Sequence, residues 1–297
     1  MATKAKTTSA PKAAKSKPVP GTAPTAAAGP KHLAWLVDTG RILKTADGKP
    51  VQVMELRHKD DGAVLSAWAK HFRNQYCDDA QIDALRQGTK HTRAEYLREI
   101  KFPDRSTAPG PSIRAGDFGE VLVADYVEFA LQYWLPRTRY DHKTVRNEST
   151  KGSDIIGFKT LDPSKNDPSD ALALFEAKAQ LTGHKPNGRL HAAIDGSAKD
   201  ELRRAESLNA IKQRFLDQHE AAKVDVVERF QDPEDRPYKE VFGAVALVST
   251  PLFDPKEIKA TDASGHPRAG SLTLIVIHGP DLMPLVHELY RRAADEA

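Results

Sequence analysis

From residue 32 onward the apolar positions recur with two different periods, and the period marks the elements. "HLAWLVDTGRILK" (32–44) and "KPVQVMELRH" (49–58) are short apolar runs of strand type. "AVLSAWAKHFRNQYC" (63–77) and "DDAQIDALRQ" (78–87) have helical spacing, the second with aspartates near its start. A further helix, "HTRAEYLREIKF" (91–102), stops at Pro103, and "PDRSTAPGPS" (103–112), with three prolines and a glycine, marks a loop.

"GDFGEVLVADYVEFALQYWL" (116–135) carries a broad apolar face built from Val121, Leu122, Ala124, Tyr126, Val127, Phe129, Ala130, Leu131 and Trp134. It predicts a buried helix entered near Asp117, with Glu120 in its first turn, and stopped at Pro136. Three strands are expected next: "RTRYDHKTVR" (137–146), "SDIIGFK" (153–159) and "ALALFEAK" (171–178), the last two joined by an Asp-Pro-containing turn segment. "GSAKDELRRAESLNAIKQRFLDQHEAAKV" (196–224) predicts a long amphipathic helix with Leu202, Ala205, Leu208, Ile211, Phe215 and Leu216 inward and Arg203, Arg204, Lys212 and Arg214 outward. Two apolar runs of strand length, 240–250 and 271–279, precede a C-terminal helix over 281–297. No internal repeat is visible. The order implies an α/β fold, a mixed sheet covered by helices on both faces.

Residues 1–31 hold six lysines and no acid among Ala, Pro, Thr and Ser, and nothing there repays the entropy of ordering. They are expected to form a disordered basic tail, able at most to touch nucleic acid nonspecifically. Residues 32–110 read as an accessory α+β region and 111–297 as the main domain. The tail also explains the net charge of +3, since residues 32–297 hold 38 basic against 41 acidic side chains. Any attraction to nucleic acid must be local. The single cysteine, Cys77, excludes an intramolecular disulfide framework and a cysteine-based zinc site. With no apolar run of membrane-span length and no apolar core of a signal peptide, a cytoplasmic protein is expected.

The candidate chemistry lies in "GSDIIGFK" (152–159) and "LFEAK" (174–178). Side chains alternate along a strand, so Glu176 and Lys178 share one face while Phe175 and Ala177 enter the opposite layer. If the strand after Asp154 pairs alongside, a second carboxylate arrives within a few ångströms, which is unfavourable unless a cation neutralises the pair. A hard divalent ion such as Mg2+ suits such oxygens. An ammonium group beside a metal-bound water orients the attacking hydroxide or stabilises a phosphorane-like transition state, which is the chemistry of phosphodiester hydrolysis. Glu120 is placed to hold an outer water or a second ion.

Glu120 in its "GE" pair, Asp154 in "GSDIIG" and Glu176-Ala177-Lys178 in "FEAK" together resemble the PD-(D/E)XK nuclease superfamily over about residues 112–250. Within it, "GDFGEVLVADYV", "KGSDIIGF" and "LFEAKAQ" are most similar to the HamA-like nuclease subunit of the Hachiman anti-phage defence pair. The resemblance implies a restriction-endonuclease-like core of a helix, three antiparallel strands, a helix and a further strand. It implies Asp154, Glu176 and the Ala177 carbonyl as ligands of Mg2+ (or Mn2+), Lys178 as the catalytic lysine and Glu120 as the helix-borne acid. It also implies DNA as substrate and a helicase subunit as partner. Gly152-Ser153 stands where the family pattern has proline before the aspartate.

Duller readings stand beside each residue. Glu176 and Lys178 form a surface salt bridge if their strand is exposed. Asp154 is otherwise a turn residue, and Glu120 an acid favoured by a helix N-terminus. Gln180 continues the face of Lys178. Lys143 and Lys151 are phosphate binders or solvated loop lysines. His184 and His191 fit no standard ligand spacing and read as neutral loop histidines. The basic face of "ELRRAESLNAIKQRF" either contacts DNA or is simply solvated. The function classes left open are a defence nuclease, a stand-alone restriction endonuclease, and a catalytically inactive scaffold of the same fold.

Overall fold

The computed structural model describes residues 29–162 and 164–297. The basic tail expected over 1–31 lies, as far as residue 28, outside the described residues. Strands β1 (Leu36–Lys44) and β2 (Pro50–Leu56) form an antiparallel pair. Helices α1 (Gly62–Tyr76), α2 (Ile82–Arg86), α3 (Arg93–Tyr96) and α4 (Gly110–Asp125) follow. Asp61 caps α1 by accepting the N–H groups of Ala63 and Val64, both at 3.1 Å. Then come β3 (Ile155–Lys159), β4 (Ala171–Gln180), α5 (Arg189–Asp217), α6 (Ala221–Arg229), β5 (Lys239–Ser249), α7 (Pro255–Ala260), β6 (Leu272–Gly279) and α8 (Leu282–Asp295).

One six-stranded mixed sheet runs in the order β1-β2-β6-β5-β4-β3. The two outer pairs are antiparallel, and the central ladders β2–β6, β6–β5 and β5–β4 are parallel. The segment 32–110 thus supplies two strands to this sheet. Central parallel strands are buried on both faces, which is why β4 and β5 read as continuous apolar runs. On one face Ala173, Phe175 and Ala177 of β4 join a core with α1, α4 and α8. On the other, Leu172 and Leu174 pack with Leu208 and Phe215 of α5 and with α6. Among the described residues no helix is long and apolar enough to cross a membrane.

Three sequence expectations need correction. Residues 137–146 are not a strand: Trp134 alone forms an isolated bridge to Phe158, and the chain beyond it turns irregularly. Alternating basic residues imitate a strand period there, but Arg137 takes a left-handed φ of 55° and the basic side chains turn onto acids of α4. Helix α4 begins at Gly110, with Pro111 in its first turn, and after Asp125 widens into a π-helical turn, Tyr126–Ala130. Glu120 therefore sits well inside the helix, and the N-terminal dipole does not account for it. On α5, Leu202 is 85% exposed and Leu216 47%, whereas Ser197, Asp200 and Ser207 are buried. The helix turns a partly polar face inward because that face covers charged side chains.

Gly243 of β5 pairs in register with Phe175, whose ring a Cβ at this position would strike. Gly243→Ala is therefore expected to destabilise the fold by about 1–3 kcal/mol through overpacking, seen as a lower urea midpoint. Gly270→Ala, with nothing within 4 Å of the added Cβ, is expected to stay within about 0.5 kcal/mol of the parent.

Candidate active site

Strand β4 changes character halfway along. Its face toward α5 is apolar at Leu172 and Leu174, then charged at Glu176 and Lys178. The β3–β4 ladder ends at Ile155 opposite Phe175, so Asp154 lies just past the last rung. Its side chain extends the ladder: Ala177 N–H donates to Asp154 Oδ2 at 3.3 Å. The N–H and C=O of one strand residue leave on the same edge, so the Ala177 carbonyl opens toward Asp154 as well.

The four charged residues singled out by sequence stand along one alternating chain of charge. Lys178 Nζ lies 3.4 Å from Asp154 Oδ2 and also donates to Glu176 Oε1. Asp154 Oδ1 accepts from Arg139 Nη2 at 2.6 Å, and Arg139 Nε donates to Glu120 Oε2 at 2.7 Å. Arg139 also donates to the Ser153 carbonyl at 2.8 Å, and Tyr140 donates its hydroxyl to Glu120. Glu120 thus reaches the group through Arg139, from the helix layer on the other side of the sheet.

Arg139 belongs to a strap, residues 131–154, that crosses α4. Beside it, Arg137 donates to Asp125 at 2.6 Å and to Glu128 at 2.8 Å, and Lys143 Nζ donates to Asp117 at 2.7 Å. Asp117 also accepts from the Tyr76 hydroxyl at 2.6 Å. A cavity of about 610 Å3 opens between strap, α4 and α5, with Glu120, Arg139, Asp154, Lys151 and Arg214 on its walls.

Carboxyls outnumber cations in this group, and burial makes the imbalance felt. Burial raises the pKa of Glu120 to about 7; Arg139 opposes the rise, and Asp154 and Asp117 add to it. Burial and then the Asp154 charge raise Glu176 to about 8 against the opposing pull of Lys178. On α5, Asp200 is raised to about 6 by burial, with the neighbouring Ser153 hydroxyl pulling the other way and Asp154 adding to the rise. Burial works against the Lys178 ammonium, but Asp154 and Glu176 together raise its pKa. Among the described residues no three His, Cys, Asp or Glu side chains are grouped so as to hold a metal ion. Arg139 bonds both Glu120 and Asp154, and Lys178 bonds both Asp154 and Glu176.

Other expected candidates lie apart. Lys143 is buried against Asp117, so it is neither a phosphate binder nor a solvated lysine. Lys151 stays exposed on the cavity rim. Gln180 donates to the Lys185 carbonyl at 2.8 Å and so closes a loop. His184 is exposed, and His191 lies on α5 beside Asp195 at 3.6 Å. On the basic face of α5, Arg204, Lys212 and Arg214 pair with Glu240, Glu228 and Asp141, which leaves less of it to meet DNA. Sequence reasoning missed Arg139 and Asp200. Arg139 was absorbed into a supposed strand, and the polar helical spacing of Ser197, Asp200 and Ser207 was the signal for the second.

A family model described as HamA matches residues 31–293. No curated protein matches the chain.

Because the folded-state pKa values of Asp200, Glu120 and Glu176 are raised to about 6, 7 and 8, their contribution to stability is complete below the ordinary carboxyl range and is lost as pH rises to about 8. Melting of the protein in a chelator is expected to show this decline, and Glu120→Gln with Glu176→Gln should flatten it. Arg139→Gln, which strands two buried carboxylates, is expected to cost about 3–5 kcal/mol at pH 8 and less at pH 5 by chemical denaturation.

Proposed function

The chain belongs to the HamA family, a component of Hachiman antiviral defence, and we propose that it is a divalent-cation-dependent deoxyribonuclease hydrolysing phosphodiester bonds. The observation that carries this reading is the charge count at the end of β4. Glu120, Asp154 and Glu176, with Asp200 beside them, are held by two basic groups, Arg139 and Lys178. Burial first, and then the neighbouring carboxylates, raise the pKa values of Glu120, Glu176 and Asp200, and a divalent cation would supply the positive charge that protons otherwise must.

Asp154 and Glu176, with the Ala177 carbonyl, are the residues that would hold Mg2+ or Mn2+, and all are the hard oxygen donors such ions take. Bound there, the ion would polarise a phosphoryl oxygen and acidify a water. Lys178, held between Asp154 and Glu176, keeps its proton and is placed to donate toward developing negative charge. Glu120, with a pKa of about 7, can take up or release a proton near neutrality. Leu172, Leu174 and the covering helix α5 fix the strand that carries the pair.

DNA as substrate and a helicase subunit as partner follow from the resemblance of the "GSDIIG" and "FEAK" segments and from family membership. The exposed Lys151 on the cavity rim suits a phosphate backbone. One observation favours a second reading, a catalytically idle subunit: Arg139 already bonds both Glu120 and Asp154 with no ion required.

Supercoiled plasmid incubated with the purified chain, alone and with its helicase partner, separates the two. Cleavage is expected in Mg2+ and not in EDTA, with Lys178→Ala and Asp154→Asn slower by about 10²–10³-fold. Equal cleavage by parent and variants would sink the assignment, and no cleavage by the parent in any arm would favour the idle subunit. Cutting of one defined sequence without the partner would move the reading to a restriction endonuclease.

A further inference from the structure

The cavity of about 610 Å3 between the strap, α4 and α5 has two kinds of wall. Val121 and Ala124 of α4, Leu135 of the strap, Ile156 of β3 and Ile211 of α5 make part of it apolar. The end of the strap makes another part polar: Ser149, Thr150, Lys151, Gly152 and Ser153 line the cavity and lead directly into Asp154. Arg139 ties the two together, since it donates to the Thr150 carbonyl at 3.3 Å and to Asp154 at 2.6 Å.

Three donors on these walls are left over by the protein itself. Among the described residues, Arg137 Nη1 and Thr150 Oγ1 are buried without a hydrogen-bond partner. The grip of Arg137 on Asp125 and Glu128 uses its other nitrogens. Arg214 Nη1 is buried too and reaches only Asp141, at 3.5 Å, without a hydrogen bond. Buried donors are costly unless an acceptor meets them. Lys151 adds an exposed ammonium group at the rim. A ligand that presents several acceptor oxygens beside a flat apolar face matches such walls, and a nucleotide is one: its phosphate accepts and its base stacks or packs. The volume is that of a pocket enclosing one small molecule, room for a nucleotide and too little for a duplex.

We propose that this cavity binds one unpaired nucleotide of the DNA strand being cut, with the base against Val121, Leu135 and Ile211 and a phosphate held by Thr150 and Lys151. The inference rests on the nuclease reading above and deepens it by naming the substrate class, single-stranded rather than paired DNA. A paired base must leave its stack to enter and an unpaired one need not, so the pocket selects against duplex. Because the polar wall runs into Asp154, a nucleotide seated there brings its own strand to the site.

The test is the fluorescence anisotropy of a labelled oligothymidylate, alone or paired with its complement, added to the full chain in EDTA. The parent is expected to bind the single strand at least about 10-fold more tightly than the duplex. Ala210→Trp, at an exposed position of α5 on the cavity wall, is expected to weaken single-strand binding at least about 10-fold and to leave duplex binding unchanged. Thr150→Val should weaken it about 2–10-fold. The lysines of residues 1–31 are common to all these chains, so a difference among them reports the cavity. Equal affinity of the parent for the two forms, or an Ala210→Trp chain that binds single strands like the parent, overturns the pocket. So does displacement of the label by thymidine 5′-monophosphate as readily as by unlabelled oligothymidylate, which would make the ligand a free nucleotide. Should Ala210→Trp melt below the parent, Lys151→Glu on the exposed rim is read in its place. The chelator keeps the assay apart from the nuclease reading. Preferential single-strand binding without Mg2+-dependent cleavage keeps the pocket and sinks the nuclease, and cleavage without preferential binding does the reverse.

Discussion

An excess of buried negative charge at the open end of β4 is the constraint around which this protein is arranged. Glu120, Asp154 and Glu176 share two cations, Arg139 and Lys178, and each of those serves two acids. Such a group survives only where a rigid frame prevents the acids from drifting apart into water. The frame is the parallel centre of the sheet, buried on both faces, with α4 fixed on one side and α5 on the other. The apolar half of β4 anchors the strand and its charged half projects from that anchor. Stability and chemistry are thus divided along a single ten-residue strand.

Much of this was legible in the sequence, for reasons that differ from element to element. Apolar runs such as "ALALFEAK" and "SLTLIVIHG" could only be buried strands, and they are. Period-two alternation put Glu176 and Lys178 on one face, and Lys178 bonds both Glu176 and the Asp154 carboxylate at the neighbouring strand end. Two of the failures share a cause: local pattern was overridden by long-range charge. Residues 137–146 alternate like a strand, but Arg137, Arg139 and Lys143 were reserved for acids 9 to 26 positions away. Helix α5 was turned to the wrong face at Leu202 because hydrophobicity assumes an apolar neighbour, and part of that helix faces carboxylates.

The placement of Glu120 shows what order in sequence can and cannot convey. Its position ahead of the two strands suggested a member of the same cluster, and it is linked to Asp154 by one guanidinium. Its link could not be read, because Arg139 looks like any other basic residue until the strap is folded. Nor could the depth of Glu120 in α4, since Pro111 starts the helix inside what reads as a proline-rich loop.

The strap over α4 has a mechanical consequence. Arg137, Arg139 and Lys143 grip Asp125, Glu120 and Asp117 from one short stretch of backbone, and all six side chains are largely shielded from water. Peeling away any one grip exposes its neighbours to the same loss, so the three cannot yield one after another at small expense. The three ion pairs therefore hold the segment as a coupled set, whose loss is not the sum of three independent ones.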